Sequence, residues 1–211
     1  MVTSRRRADD GFTLAELSVT MIIFGVLVLV LAQFSTQAFR LYGANANRIT
    51  SGGRASLVME QVSKDLRTAV AITVLSPPAP SSSQAFAKAT GTEVKFYSSV
   101  SGGPVQERLY VVGTQLWRET ILPDLTSSAP AYTYTTNRAL QTRLLSDRVV
   151  TGSAPFSYLL RGSLLPPAAP VAPVDLGAIV GVQILVTINA DASGRTRATQ
   201  LQNTVRPYNV T

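Results

Sequence analysis

Glu16 is the residue whose position asks for an explanation. No charge occurs between it and Arg40, and the intervening residues are largely apolar. A carboxylate at the edge of an apolar helix is costly to desolvate, so it marks a function and needs a partner. One partner lies within the chain. Thr13-Leu14-Ala15-Glu16 fits a capping box, in which the Glu satisfies first-turn N–H groups and meets the positive end of the helix dipole. The other possible partner is a cation, because opposite charges in a low dielectric offset each other's desolvation.

Other chemistry is thinly represented. The 211 residues include no Cys and no His. Disulfides, thiolate sites, Ser-His-Asp triads and imidazole metal ligands are therefore excluded. Seven acids follow residue 76: Glu93, Glu107, Glu119, Asp124, Asp147, Asp175 and Asp191. No spacing among them suggests a glycosidase pair. Glu93, Lys95, Glu107 and Arg108 read as the solvated face of a sheet. Asp191, Ser193 and Gly194 lack the run of acids a calcium loop needs and read as a hairpin turn. Phosphate-binding and nucleophile-elbow motifs are missing too. The expectation is a non-enzyme with no cofactor and no metal. The formal charge of +7 rests mainly on Arg. Arg195, Arg197 and Arg206 could grip phosphate and make DNA a partner, although a general bias toward Arg explains them more simply.

The element that must position Glu16 is the segment after it. Residues 17–32 read LSVTMIIFGVLVLVLA, and the uncharged stretch runs on to residue 39. That length meets the ~20 residues a membrane helix needs. Every Pro lies at position 77 or later, so nothing breaks a helix before then. Arg5, Arg6 and Arg7 favour a cytoplasmic N-terminus with the bulk of the chain outside. An ordinary signal peptide would share these features, but its small-residue site, Ala44-Asn45-Ala46, lies far beyond the apolar run.

Residues 11–21, GFTLAELSVTM, closely resemble the processing motif of type IV prepilins and of the pseudopilins of type II secretion. Gly11, Phe12, Thr13, Leu14, Glu16 and Leu17 match in register, after a short basic leader and directly before the apolar helix. Asp9 and Asp10 depart from the basic or neutral residues usual before the Gly. The resemblance implies cleavage between Gly11 and Phe12 by a prepilin peptidase, and N-methylation of Phe12. It also implies that Glu16 pairs with the N-terminal amine of a neighbouring subunit during assembly. The partners implied are other pilin or pseudopilin subunits, the peptidase and methylase, an inner-membrane assembly platform and membrane lipid.

Beyond the apolar run, residues 54–71 offer an amphipathic stem. Leu57, Val58, Val62, Leu66 and Ala69 fall on one face, and Gly52-Gly53 are expected to kink or melt the helix. Arg54, Met59 and Asp65-Leu66-Arg67 are similar to the stem of minor pilins and minor pseudopilins. Residues 76–83 read as a loop. Strands are expected over 93–98, 105–112, 115–122, 143–150, 155–160, 179–189 and 197–205, with a loop at 166–173. The chain divides into a leader (1–11), a membrane half of the helix (12–39), a stem (40–75) and a β-rich domain (76–211). The fold class is α+β, pilin-like, with one long helix packed on an antiparallel sheet. The functional expectation is a minor pilin that primes or caps a filament. The alternatives are a minor pseudopilin of type II secretion and an anchored adhesin or DNA receptor that never polymerises. The expected location is the cytoplasmic membrane, followed by the filament or cell surface.

Overall fold

The computed structural model describes residues 13–76, 79–100, 103–127, 129, 131–136, 138–163, 170–189 and 198–208. One α-helix, α1, runs from Leu14 to Arg67. The chain divides into two compact units, Met1–Ala46 and Asn47–Thr211, and α1 contributes to both.

The first unit is helix alone among its described residues. All of its apolar side chains are exposed, Phe24 at 67 % and Leu29 at 61 % among them. The segment is long and apolar enough to cross a membrane. Three of its hydroxyls are consistent with that role because they bond to their own helix. Ser18 Oγ donates to the Leu14 carbonyl and Thr20 Oγ1 to the Glu16 carbonyl, each at 2.9 Å, and Thr36 Oγ1 donates to the Ala32 carbonyl at 2.8 Å. In lipid, where no water can serve these groups, such internal bonds remove the penalty of carrying them.

In the second unit α1 buries one stripe, including Ala55, Val58, Val62 and Leu66. The spacing is that of a helix with a single apolar face. Gly52-Gly53 do not interrupt it, contrary to the sequence expectation. Two glycines cost only about 1 kcal/mol each in helix propensity, and packing of the neighbouring Ser51 and Ala55, both buried, offsets that. The helix does stop early. The stem was expected to reach residue 71, with the stem region extending to 75, but α1 ends at Arg67 and residues 72–76 form a strand. The β-branched run Thr68, Val70, Ile72, Thr73 and Val74 favours extended backbone there. Ala69 bridges Ser98, and Val70 N–H donates to the Tyr97 carbonyl at 2.8 Å.

Among the described residues eleven strands follow: β1 Ile72–Ser76, β2 Ala79–Gln84, β3 Phe86–Ala89, β4 Glu93–Val100, β5 Gly103–Val112, β6 Gln115–Leu122, β7 Ala131–Tyr132, β8 Arg138–Ser146, β9 Phe156–Leu160, β10 Ile179–Ile188 and β11 Thr199–Val205. They form three sheets, ordered β2-β1-β7, β3-β4-β5-β6-β8 and β11-β10-β9. Pairing is antiparallel except for a short parallel contact of β1 with β7. The expected class, a long helix packed on antiparallel sheet, is what the chain adopts, with the sheet divided in three.

Several boundaries differ. Residues 76 and 79–83 of the expected 76–83 loop are strand, because β1 ends at Ser76 and β2 pairs with it. The strand expected over 143–150 is displaced to Arg138–Ser146 by its register with β6, and Val149 makes only an isolated bridge. Half of the Pro-rich stretch expected to loop at 166–173 lies outside the described residues, and 170–172 carry no helix or strand; the turn at Asp191, Ser193 and Gly194 and the start of the last expected strand lie outside them too.

The core of this unit joins Val62 and Leu66 of α1 to Val94, Phe96 and Leu109 of the five-stranded sheet and to Phe156, Tyr158 and Ile184 of the third. Gly181 lies where β10 is flanked on both sides. A Cβ there would stand 3.2 Å from the Leu159 side chain and 3.3 Å from the Val205 carbonyl, so a larger residue would force a shift.

Candidate functional site

At the start of α1, Thr13 and Glu16 form a reciprocal cap. Thr13 N–H and Thr13 Oγ1 each donate to Glu16 Oε2 at 3.1 Å, and Glu16 N–H donates to Thr13 Oγ1 at 3.3 Å. This is the capping box expected from the sequence. It turns the Glu16 carboxylate toward the N-terminal end of the helix, and the side chain is exposed. An exposed anion at the mouth of an apolar helix can receive a cation from outside the chain without breaking the helix. Gly11 and Phe12, the expected cleavage and methylation positions, lie outside the described residues.

The other concentration of charge lies on the five-stranded sheet, where successive residues face opposite sides. Glu93, Lys95, Arg108 and Glu119 share one side. Arg108 Nε donates to Glu93 Oε1 at 2.8 Å, its Nη1 donates to Glu119 Oε2 at 3.1 Å, and Lys88 Nζ donates to Glu93 Oε2. The Arg108 guanidinium also stands 4.1 Å from the Tyr110 ring centroid, a cation–π contact. Burial raises the Glu93 pKa, but the hydrogen bonds and charges of Lys88 and Arg108 outweigh it, leaving the carboxyl below its usual value.

The expectation that these charges form a solvated face is therefore wrong in part. Glu93, Glu107 and Glu119 are buried, and Glu107, next to Arg108 in sequence, projects to the opposite side toward α1. There Arg118 grips it at two points, Nε to Oε2 and Nη2 to Oε1, both at 3.1 Å, and Thr120 Oγ1 donates to Oε2 at 2.9 Å. The same guanidinium faces Asp65 of α1 at 3.3 Å. Gln61 Nε2 donates to Asp65 Oδ1 at 2.9 Å. Burial pushes the Asp65 carboxyl up to about 6, although Arg118 pulls it the other way. The sequence carried a signal for this site: Asp65 lies seven residues after Val58 and three after Val62, on the apolar stripe.

Asp124 has a local task. Its Oδ2 accepts from Thr135 N–H at 2.9 Å and from Thr135 Oγ1 at 2.6 Å, and its Oδ1 accepts from Thr136 N–H at 2.9 Å and from Thr136 Oγ1. These bonds hold its pKa far below the usual carboxylate range and clip the 124–136 loop. Among the described residues no cluster of Asp or Glu could hold a metal ion. Of the residues considered for DNA, Arg206 is exposed, while Arg195 and Arg197 lie outside the described residues.

Fold and site together define a protein with an exposed apolar N-terminal helix, capped at an acidic residue, and an α+β domain that buries ion pairs beside its apolar core. Residues 6–32 match the family model described as the prokaryotic N-terminal methylation motif. With the apolar helix, this match supports a type IV prepilin-like, membrane-anchored protein. Among curated proteins none matches the chain.

Proposed function

We propose that this chain is a structural subunit of a type IV pilus-like filament, of the minor kind that primes or caps assembly. The observation that carries the reading is the methylation motif at residues 6–32, which runs into the start of α1, where every described apolar side chain as far as Ala46 is exposed. In this reading residues 1–11 are a leader and prepilin peptidase cleaves between Gly11 and Phe12. Phe12 becomes the methylated N-terminus. Residues 12–39 hold the subunit in the membrane before assembly, with the second unit outside the cytoplasm.

Cleavage would leave a charged amine at Phe12 close to Glu16 in sequence. The cap does not consume the whole carboxylate, because all its described bonds go to Oε2. Oε1 is then the oxygen that can meet the amine of a neighbouring subunit, each charge offsetting the other's desolvation as the helices pack. Nothing in this chemistry requires a catalytic group, and the reading assigns no enzymatic activity.

Intact mass and N-terminal sequencing, in cells with and without prepilin peptidase, test the reading. The expected mature chain begins at Phe12, carries one added methyl group and appears only when the peptidase is present. Retention of Met1, or cleavage after Ala46, would overturn it.

A further inference from the structure

The five-stranded sheet has two edges of different character. At one edge, β3 is closed: the Ala89 carbonyl accepts from Val171 N–H at 2.8 Å, and the 3-10 helix Pro173–Ala178 lies against the strand. At the other, β8 is outermost and exposed along residues 139–144, with Leu140 at 64 % and Leu144 at 39 %. An open edge offers a row of backbone donors and acceptors to another strand. Proteins usually blunt such an edge with Pro, with Lys or by keeping it short. β8 has neither residue and is nine residues long. It does have two bulges, and between them Gln141, Thr142, Arg143 and Leu144 pair regularly with β6.

The surroundings of β8 describe what would fit beside it. Its C-terminal end borders a hollow of 390 Å³ shared with α1, lined by Arg54, Leu57, Gln61, Arg143 and Ser146 among others, with a single acid, Asp147, which faces Arg148 at 4.0 Å. Its N-terminal end borders a second hollow, of 630 Å³, with Arg138 and Leu140 on the wall. Within β8 there is no acid. Arg54 and Arg143 have no ion-pair partner among the described residues, whereas the buried acids of the sheet are already held by Arg108 and Arg118. Arg143 shares the side of its cross-strand partner Arg118, which faces α1, and Leu144 shares the opposite side with Trp117.

We infer that β8 is a docking edge for an extended segment of a different protein, in which acidic and apolar side chains alternate. The acids lie beside Arg143 and Arg54, and the apolar residues beside Leu144, as the two-residue period of a strand dictates. A second copy of this chain is a poor occupant. Pairing β8 with itself would gather Arg138 and Arg143 twice over with no acid between them. The inference goes beyond the proposed assembly role and does not depend on processing at Gly11.

The test uses the full chain in detergent micelles at physiological salt, with two labelled synthetic peptides of about ten residues, one alternating Glu and Val, the other Lys and Val. The Glu peptide should bind at least about tenfold more tightly. It should slow hydrogen exchange of β8 amides and leave β3 unchanged. Arg143→Glu and Arg54→Glu, both at exposed positions, should each weaken it about tenfold, which is about 1.4 kcal/mol. Equal affinity for the two peptides, protection elsewhere than β8, or disulfide dimers of a Thr142→Cys variant in place of peptide binding would each overturn the inference.

Discussion

Arg118 Nε lies 3.3 Å from Asp65 Oδ2, yet that oxygen receives no hydrogen bond. The Nε–H and one Nη2–H of Arg118 are aimed at Glu107, which accepts both. Asp65 thus feels the charge of Arg118 without its directional bond, and burial governs its proton. The contact ties α1 to β6 through a carboxylate that its surroundings only partly satisfy.

The pH dependence of stability follows with a definite sign. The Asp65 carboxyl titrates at about 6 in the folded chain against an ordinary value of 3.8, so the folded state holds this proton more tightly than the unfolded one. Its contribution is fully present below 3.8 and is lost as pH rises through about 6, amounting to at most about 3 kcal/mol. Glu93, with a lowered pKa, acts in the opposite sense and below 4.5. Urea unfolding of the full chain in detergent should show stability falling from about pH 4 to pH 6.5, and Asp65→Asn should flatten that slope. Identical slopes in the two proteins would contradict this account of Asp65.

Removing Arg118 should be among the most damaging single changes in the second unit. Arg118→Ala leaves Glu107, 2 % exposed, and Asp65, 6 % exposed, without their counter-ion. Breaking a buried pair from one side costs about 3–5 kcal/mol. Arg118→Lys should recover only part of that loss, since an ammonium cannot reproduce the two-point grip. Adding Glu107→Gln to Arg118→Ala should restore part of the stability by removing one of the two stranded carboxylates. Chemical denaturation midpoints check all three, and a double variant no better than Arg118→Ala would contradict the argument.

Tyr158 links the third sheet to the turn before β4. Its hydroxyl donates to the Thr90 carbonyl at 2.8 Å and lies 3.3 Å from the Glu93 carbonyl, and burial raises its pKa above the usual range. Tyr158→Phe keeps the ring and removes the bond, so it should cost about 1–2 kcal/mol in thermal or urea unfolding. A neutral result would mean that water takes over the carbonyls.

Glu16 permits a separation of capping from assembly. Glu16→Gln can still form the capping box but carries no charge, whereas Glu16→Ala forms neither the box nor the ion pair. If assembly needs the charge, both variants should fail to enter filaments or their tip complexes while the second unit folds normally. If only the cap matters, Glu16→Gln should assemble like the parent. Immunoblots of sheared filaments, with circular dichroism as the folding control, distinguish the two outcomes.

The apolar helix, its capping box and the methylation motif were all legible in the sequence, because each depends on residues within one or two helical turns of one another. The strands 115–122 and 179–188 were legible for a related reason: β-branched and alternating side chains declare a strand locally. The helix end at Arg67 was misjudged because apolar spacing continues to Ala69, while hydrogen bonds from β4, distant in sequence, capture that stretch as extended chain.

Charge was the hardest property to read. Glu107 and Arg108 are adjacent, and their types alone suggest one exposed face. The pleat sends one toward α1 and the other to the opposite side, and only the register of β5 with β6 reveals that Arg118 waits for Glu107. Likewise nothing local in β8 marks it as an open edge, because openness is a property of its neighbours. The sequence alone determined the helix, its cap and the motif, since those interactions span a few residues of chain. Tertiary structure alone decided which charges are buried, which cation each acid meets and which strand has an open edge, since those depend on contacts between segments far apart in the chain.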